Sequence, residues 1–435
     1  MADAPPLMCA TRWLVVALAF VAACTAPPAP QQPSVEVREL ADGAWHATWR
    51  FQEPVSGMRF ARPARYFRED AWRVLTPGYA LARDGDSQVV LGGDAAPVAE
   101  IQVEFPVDTR KFPREYEFFH RFSDGSVALY TGMLHAETLD GRVVATTVTV
   151  DPGPARALVT TDTEGADGTY AYVGNIPPLH AAHMRAVVDP GLPPWLAYEL
   201  EQRTETFFAL LAERTGHQLE RKPLVLFNFV PGERDGYAYR GGALQGLIHL
   251  SAVGDGWHDA DPNAVRAMLR FIAHEAAHMW NADLVKYRSG SPPWLHEGGA
   301  DALSERILVA AGIAGPAALA AFDAEALDEC TRQPELALSE ARSDRAPYAC
   351  GSLVASWSEQ LLQAADPTLD LFDFTGRLIA RARAGDGRYG EDDWFAVLKA
   401  MGAEAAAVDA LQAFVRAPQA APAWRAAAET WGNIP

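Results

Sequence analysis

His274, Glu275 and His278 form the pattern H-E-x-x-H inside a stretch of helical periodicity, and no other feature constrains the fold as tightly. Two histidines four positions apart lie on one helix face, one turn from each other. Both rings therefore reach a single point in space, at the ~2.0–2.1 Å of a metal–nitrogen bond. Glu275 is offset from that face, so it reaches a water beside the histidines without ligating. With 11 histidines in 435 residues, chance supplies this pattern on the order of 0.02 times. A solvated helix face with incidental polar residues is the alternative. It leaves unexplained the apolar stripe Val265, Leu269, Ile272 and Ala276 on the same segment. Asp261 and Pro262 supply an N-cap and a first helical residue for it.

After eighteen further residues comes Glu297, preceded by Pro292 and Pro293, which mark the start of a second helix. Two His and one Glu are a donor set that suits one zinc ion and leaves a coordination position open. Asp301 stands four residues on, on the Glu297 face, and is expected to accept the second ring N–H of a liganding histidine, His274. The alternative is a surface aspartate. His296 is adjacent to Glu297, points elsewhere and is not counted as a ligand.

The rest of the chain divides by composition. Residues 35–190 read as a β-rich domain. Alternation runs through Val35–Val37, Val98–Phe105, Ser126–Leu134 and Arg142–Val150, with Asp-Gly turn signals at Asp42, Asp84, Asp124, Asp140 and Asp167. An antiparallel, sandwich-like arrangement is expected, with His46, His120 and His135 structural. Residues 191–310 carry the motif. They open with a helical stretch from Trp195 to Arg214, followed by a buried-type strand from Pro223 to Val230. Gly241 to Ser251 reads as a strand entered through a Gly-rich turn. Residues 311–435 are Ala-rich and helical, with apolar spacing at Leu353, Trp357 and Leu361, at Phe395 and Leu398, and at Val408, Leu411 and Phe414. The fold class is α+β and multidomain.

The motif region resembles the gluzincin zinc metallopeptidases of the aminopeptidase N type, in which H-E-x-x-H is followed after eighteen residues by the Glu of W-L-x-E-G. Trp294, Leu295, Glu297 and Gly298 match that segment; Trp280 and the pair Leu284-Val285 match the run after the second His, where Ala282-Asp283 replaces Gly-Asn. The likeness covers roughly Gly241 to Val354 and is most specific from His274 to Asp301. It implies a thermolysin-like zincin catalytic domain, one Zn2+ and a peptide substrate, with Glu275 as the acid–base. Tyr348, in a segment similar to the family's Y-x-K-G, is implied as the donor that stabilises the oxyanion. Gly351 matches that segment and Cys350 takes the Lys position; a buried core tyrosine is the alternative for Tyr348.

One departure bears on activity. The family strand ahead of the zinc helix reads G-x-M-E-N, and its Glu holds the substrate's α-amine. Here Gly242, Ala243, Leu244, Gln245 and Gly246 occupy that place, so Gln245 offers a neutral amide. Another acid within Asp255–Asp259 could hold the amine, specificity could differ, or the enzyme could cut internal bonds. In each case the strand backbone at Gly242 and Ala243 remains able to align a peptide by β-addition. A non-catalytic binding protein on a zincin fold is the reading from another class. Cys330 and Cys350 either pair, closing a loop worth ~3 kcal/mol, or remain buried thiols.

Composition narrows the partners. Hydrophobic residues make up 49% and the net charge is −19, so the chain is globular and lacks the basic footprint of a nucleic-acid binder. Oligomeric state is not legible. Arg12 precedes an apolar run from Trp13 to Ala23, too short for a membrane span of ~20 residues, and residues 1–23 read as a secretory signal peptide. The run ends Val21, Ala22, Ala23, Cys24, which resembles the bacterial lipobox and implies lipidation at Cys24, hence a membrane anchor without a transmembrane helix. Plain cleavage after Ala23 is the alternative. Thr25 stands where inner-membrane retention uses Asp, so the expected location is the outer membrane, facing the periplasm. Residues 24–34 are a proline-rich tether. Metabolic labelling with a fatty acid is expected to mark the mature protein and not a Cys24→Ala variant. An unlabelled mature protein would remove the anchor.

Overall fold

The computed structural model describes residues 34–62, 67–111, 116–139, 147–154, 156–161, 165–259, 261–342 and 345–432. The signal peptide, Cys24 and the tether up to residue 33 lie outside the described residues; Ser34, read as the end of the tether, opens the first strand, Ser34–Glu39. Among the described residues no helix is long and apolar enough to cross a membrane.

The N-terminal part is β-rich, with three sheets that share one core. Its largest sheet is mixed rather than antiparallel, because Ser34–Glu39 pairs parallel with Thr147–Asp151 and antiparallel with Trp45–Val55. Alternation along a strand fixes which face is buried but not which neighbour it pairs with. The Asp-Gly signals are turns: Gly43, Gly85, Gly125 and Gly168 all take positive φ. Asp140 lies outside the described residues.

A second five-stranded sheet carries the functional part. Its order is Leu179–His180, Arg185–Val188, Leu224–Val230, Leu247–Val253 and, at the edge, Ala238–Leu244. The first two strands fall before residue 190, the expected end of the β-rich domain, yet they belong to this sheet because Arg185–Val188 pairs parallel with Leu224–Val230. The stretch Gly241 to Ser251 is a hairpin rather than one strand. Ala238–Leu244 turns through Gln245 and Gly246 into Leu247–Val253, with Gly246 at φ 67°. Period-two alternation gives the sheet two apolar faces. Leu224, Leu226, Leu244 and Leu247 pack on the β-rich domain; Val225, Phe227, Ile248 and Leu250 pack against the helices.

Helices Pro194–Thr215 and Pro262–His278 cover that second face. In the latter, Asp261 accepts hydrogen bonds from the backbone N–H groups of Asn263 and Ala264, the cap expected from sequence. Glu297–Ala310 lies beside it, joined by the buried carboxylate of Glu305, which pairs with Arg266 and lies 3.8 Å from Arg270. The helix Ala346–Ala365 then crosses Glu297–Ala310 at two glycines. A Cβ on Gly298 would fall 2.5 Å from the Cα of Gly351, so any side chain there separates the two helices. Buried Arg306 donates to Glu359 at 2.9 Å across the same pair. The disulfide Cys330–Cys350 ties Ala317–Cys330 to the crossing helix. No boundary falls at residue 310. One core runs from Met184 to Ala427, because the helical part buries its apolar stripes against the motif helices as well as against itself.

Candidate metal centre and cleft

The motif helix ends at His278 and continues as a wider π-type turn, Met279–Asp283. That turn brings Asn281 back beneath His278: the His278 Nδ1 lies 3.2 Å from Asn281 Oδ1, and Asn281 Nδ2 donates to the carbonyl of His296 at 2.8 Å. His274 Nδ1 lies 2.8 Å from Asp301 Oδ1. With both Nδ1 atoms donating to oxygens, both Nε2 atoms present lone pairs, and they face each other at 3.0 Å. Glu297 Oε2 completes the triangle, 3.4 Å from His274 Nε2 and 3.3 Å from His278 Nε2. Donors held by one tetrahedral ion at ~2.0–2.1 Å stand about 3.3 Å apart. The three side chains therefore fit a single zinc-sized dication, and their donor atoms form the one such group among the described residues.

Electrostatics agree. Burial opposes a charge on His274, but Asp301 and Glu297 beside it outweigh burial and raise its pKa to about 10. Burial likewise opposes ionisation of Glu297, yet the imidazoles of His274, His278 and His296 beside it hold its carboxyl far below the usual range. Asp301 is held low in the same way, by His274 against the effect of burial. The cluster is built around a positive charge at its centre.

Glu275 is buried and its pKa is raised, first by desolvation. Its carboxylate accepts a backbone hydrogen bond from Ala243 on the edge strand. The other outward group of Ala243, its carbonyl, accepts from the Tyr116 hydroxyl at 2.8 Å. Leu244 and Leu247 flank a two-residue loop, so alternation along the ladder turns Ala243 outward and Gly242 inward. Both outward groups of Ala243 are thus engaged by the protein, and Gly241 is the next residue facing out. A Cβ on Gly241 would fall 2.1 Å from the carbonyl oxygen of His249, so this position requires glycine.

These residues open onto a cleft of about 1170 Å³ between the β-rich domain and the motif helices. The Tyr348 ring stands 6.0 Å from the His274 ring at 23°. Burial and then the neighbouring Glu297 raise the pKa of its hydroxyl, which stays protonated as a donor. Gln245 lines the far end, against the turn Gly165–Gly168 from the β-rich domain; a Cβ on Gly165 would come within 3.0 Å of Gln245 Oε1. The segment Asp255–Asp259 does not reach the cleft: Asp255 accepts from the Gly232 N–H at 2.9 Å instead. The acids at the Gln245 end are Asp167, paired with Arg62 at 2.7 Å and 76% exposed, and Asp283, which accepts from the Gly246 N–H at 2.8 Å.

His274, His278, Glu297, Asp301, Glu275, Tyr348, Gly242, Ala243 and Gln245 all meet at this cleft. Sequence reasoning missed Tyr116, Asp167 and Asn281. Asn281 follows His278 by three residues and was readable as a same-face partner. Tyr116 and Asp167 come from another domain, and no local pattern marks them. His120 lies behind the edge strand, its Nδ1 3.3 Å from Glu117, in a structural position between domains.

The architecture is that of an α+β protein with a β-rich N-terminal domain, a motif-bearing sheet and a helical C-terminal part. It is similar to an aminopeptidase N family protein from Idiomarina loihiensis, with a TM-score of 0.63 and 13% identity over 89% of this chain and 76% of that one. It is also similar to native yeast LTA4 hydrolase, with a TM-score of 0.53 and 12% identity over 89% of this chain and 67% of that one. At these identities the likeness is one of fold. No protein-family model matches the chain, and no curated protein does.

Replacing Asp301 by Ala leaves the His274 Nδ1 without its acceptor. Affinity for zinc is expected to fall ~10–100-fold, measured by competition with a chromophoric chelator. Unchanged affinity would show that Asp301 does not support the ligand.

Proposed function

We propose that the protein is a zinc-dependent metallopeptidase that removes residues from the N-termini of peptides. The observation that carries this reading is the convergence of His274, His278 and Glu297 at about tetrahedral spacing, with Glu275 and Tyr348 in the same cleft. His274, His278 and Glu297 would hold the zinc ion, which when bound would supply a Lewis acid for the scissile carbonyl and an acidified water. Glu275 takes a proton from that water and delivers it to the leaving amine; its raised pKa and its tie to Ala243 hold it ready for both. Tyr348 donates to the negative charge that develops on the carbonyl oxygen. Gly241 aligns the substrate backbone along the edge strand.

Exopeptidase action rests on the Gln245 end of the cleft, which the turn Gly165–Gly168 covers. Gln245 accepts from the free amine as a neutral group, and Asp167 on the covering turn supplies the charge that Gln245 lacks. The signal peptide and the Cys24 motif support export and a lipid anchor, which holds this activity at the outer membrane facing the periplasm.

Matched peptides with free and acetylated N-termini test the reading, with Glu275→Gln as the blank. Stepwise loss of residues from the free peptide alone is expected, with Glu275→Gln lowering kcat by at least ~100-fold. Internal cuts in the acetylated peptide would make the enzyme an endopeptidase. No cleavage above the Glu275→Gln blank would make the chain a zincin-fold binding protein. Tyr348→Phe is expected to lower kcat ~100-fold with little change in KM, by loss of one oxyanion donor. An unchanged kcat would return Tyr348 to the core.

A further inference from the structure

The chain carries a net charge of −19, yet five of its cationic side chains line one cleft: Arg62, Arg270, Lys286, Arg345 and Arg388. Three of them have carboxylate partners. Arg62 pairs with Asp167 at 2.7 Å, Lys286 with Asp283 at 3.1 Å, and Arg270 lies 3.8 Å from Glu305 with its guanidinium over the Phe322 ring. Arg345 is different. Among the described residues no carboxylate lies within ion-pair distance of it, and its guanidinium rests over the Tyr348 ring, 5.5 Å from the centroid. It is exposed, it faces the cleft, and its field reaches Asp301 behind the metal ligands. Among the described residues Arg388 also has no carboxylate within ion-pair distance, but it stands apart, on the strand that pairs with Lys286–Tyr287.

Position gives Arg345 a direction. The Tyr348 ring lies on the His274 side of the metal ligands, whereas Gln245 lies with Met279 and Asp283 beyond His278. A peptide whose amine sits at Gln245 runs toward Tyr348 after the cut bond. From the His274 ring to Tyr348 is 6.0 Å, and from Tyr348 to the guanidinium 5.5 Å, a reach of no more than about three extended residues at ~3.3 Å each. A carboxylate at that distance is the terminus of a short peptide, and a planar guanidinium with five donors binds it in bidentate fashion.

We propose that Arg345 binds the α-carboxylate of the substrate and that the enzyme therefore selects short peptides, with no more than about three residues after the cut bond. This rests on the peptidase reading above. Nothing in it requires a new chemical step: the carboxylate is held, and the same amide bond is hydrolysed.

The test uses the zinc-loaded full chain and one tripeptide made as free acid and as C-terminal amide. The wild type is expected to favour the acid in kcat/KM by about tenfold or more, the scale of a charge-assisted pair. In Arg345→Gln the acid-to-amide ratio falls to near one, through KM; Arg345→Lys keeps part of it; Arg388→Gln keeps all of it. A wild-type ratio near one overturns the inference alone, and so does a ratio preserved in Arg345→Gln or lost only in Arg388→Gln. Equal loss on both peptides in Arg345→Gln also overturns it, because that is the mark of a structural role. Cleavage of neither peptide above the Glu275→Gln blank overturns the peptidase reading and this inference with it.

Discussion

Two imidazole lone pairs facing each other at 3.0 Å, with a carboxylate oxygen 3.3–3.4 Å from both, form an arrangement that only a positive charge at the centre makes favourable. The surrounding structure holds these atoms in place. Asp301 and Asn281 fix both tautomers, so neither ring can turn its Nε2 away. Glu305 binds the ligand-bearing helices to each other through Arg266 and Arg270. The contact of Gly298 with Gly351 brings the Tyr348 helix closer than a side chain at either glycine would allow. The Cys330–Cys350 bond closes a loop of 20 residues and stabilises that approach by ~3 kcal/mol.

The β-rich domain is part of the same device rather than an appendage. Tyr116 reaches across to the edge strand and holds the carbonyl of Ala243, whose N–H holds Glu275. Ala243, beside Glu275, is thus held through both its backbone groups, and one of the two partners comes from another domain. Glu117 pairs with Arg240 of the same strand at 2.6 Å. The turn Gly165–Gly168 then covers the Gln245 end of the cleft. Substitutions at this interface are therefore felt at the metal centre, through a backbone strand that cannot shift independently.

Much of the site was legible because helices write their geometry into spacing. His274 and His278 at four residues, Asp301 four after Glu297, and Asp261 before Pro262 each follow from 3.6 residues per turn and unsatisfied first-turn N–H groups. Strand alternation showed the buried face of each strand. It could not show that Ser34–Glu39 pairs parallel with a segment more than a hundred residues away, nor that Arg185–Val188 belongs to the second sheet. The hairpin at Gln245–Gly246 was read as a single strand, because a Gly-rich run signals a turn without fixing where the chain reverses.

The sequence by itself marked His274, Glu275, His278 and Asp301 as candidates through helical spacing, and Glu297 through its place in the motif segment. Only the tertiary structure decided what surrounds them. Tyr116, Asp167 and Arg345 stand far from the motif in sequence and meet it at one cleft, through sheet packing, a domain interface and a helix crossing at two glycines. Local periodicity carries no information about such meetings. They are set by which apolar faces bury each other, and that is a property of the whole chain.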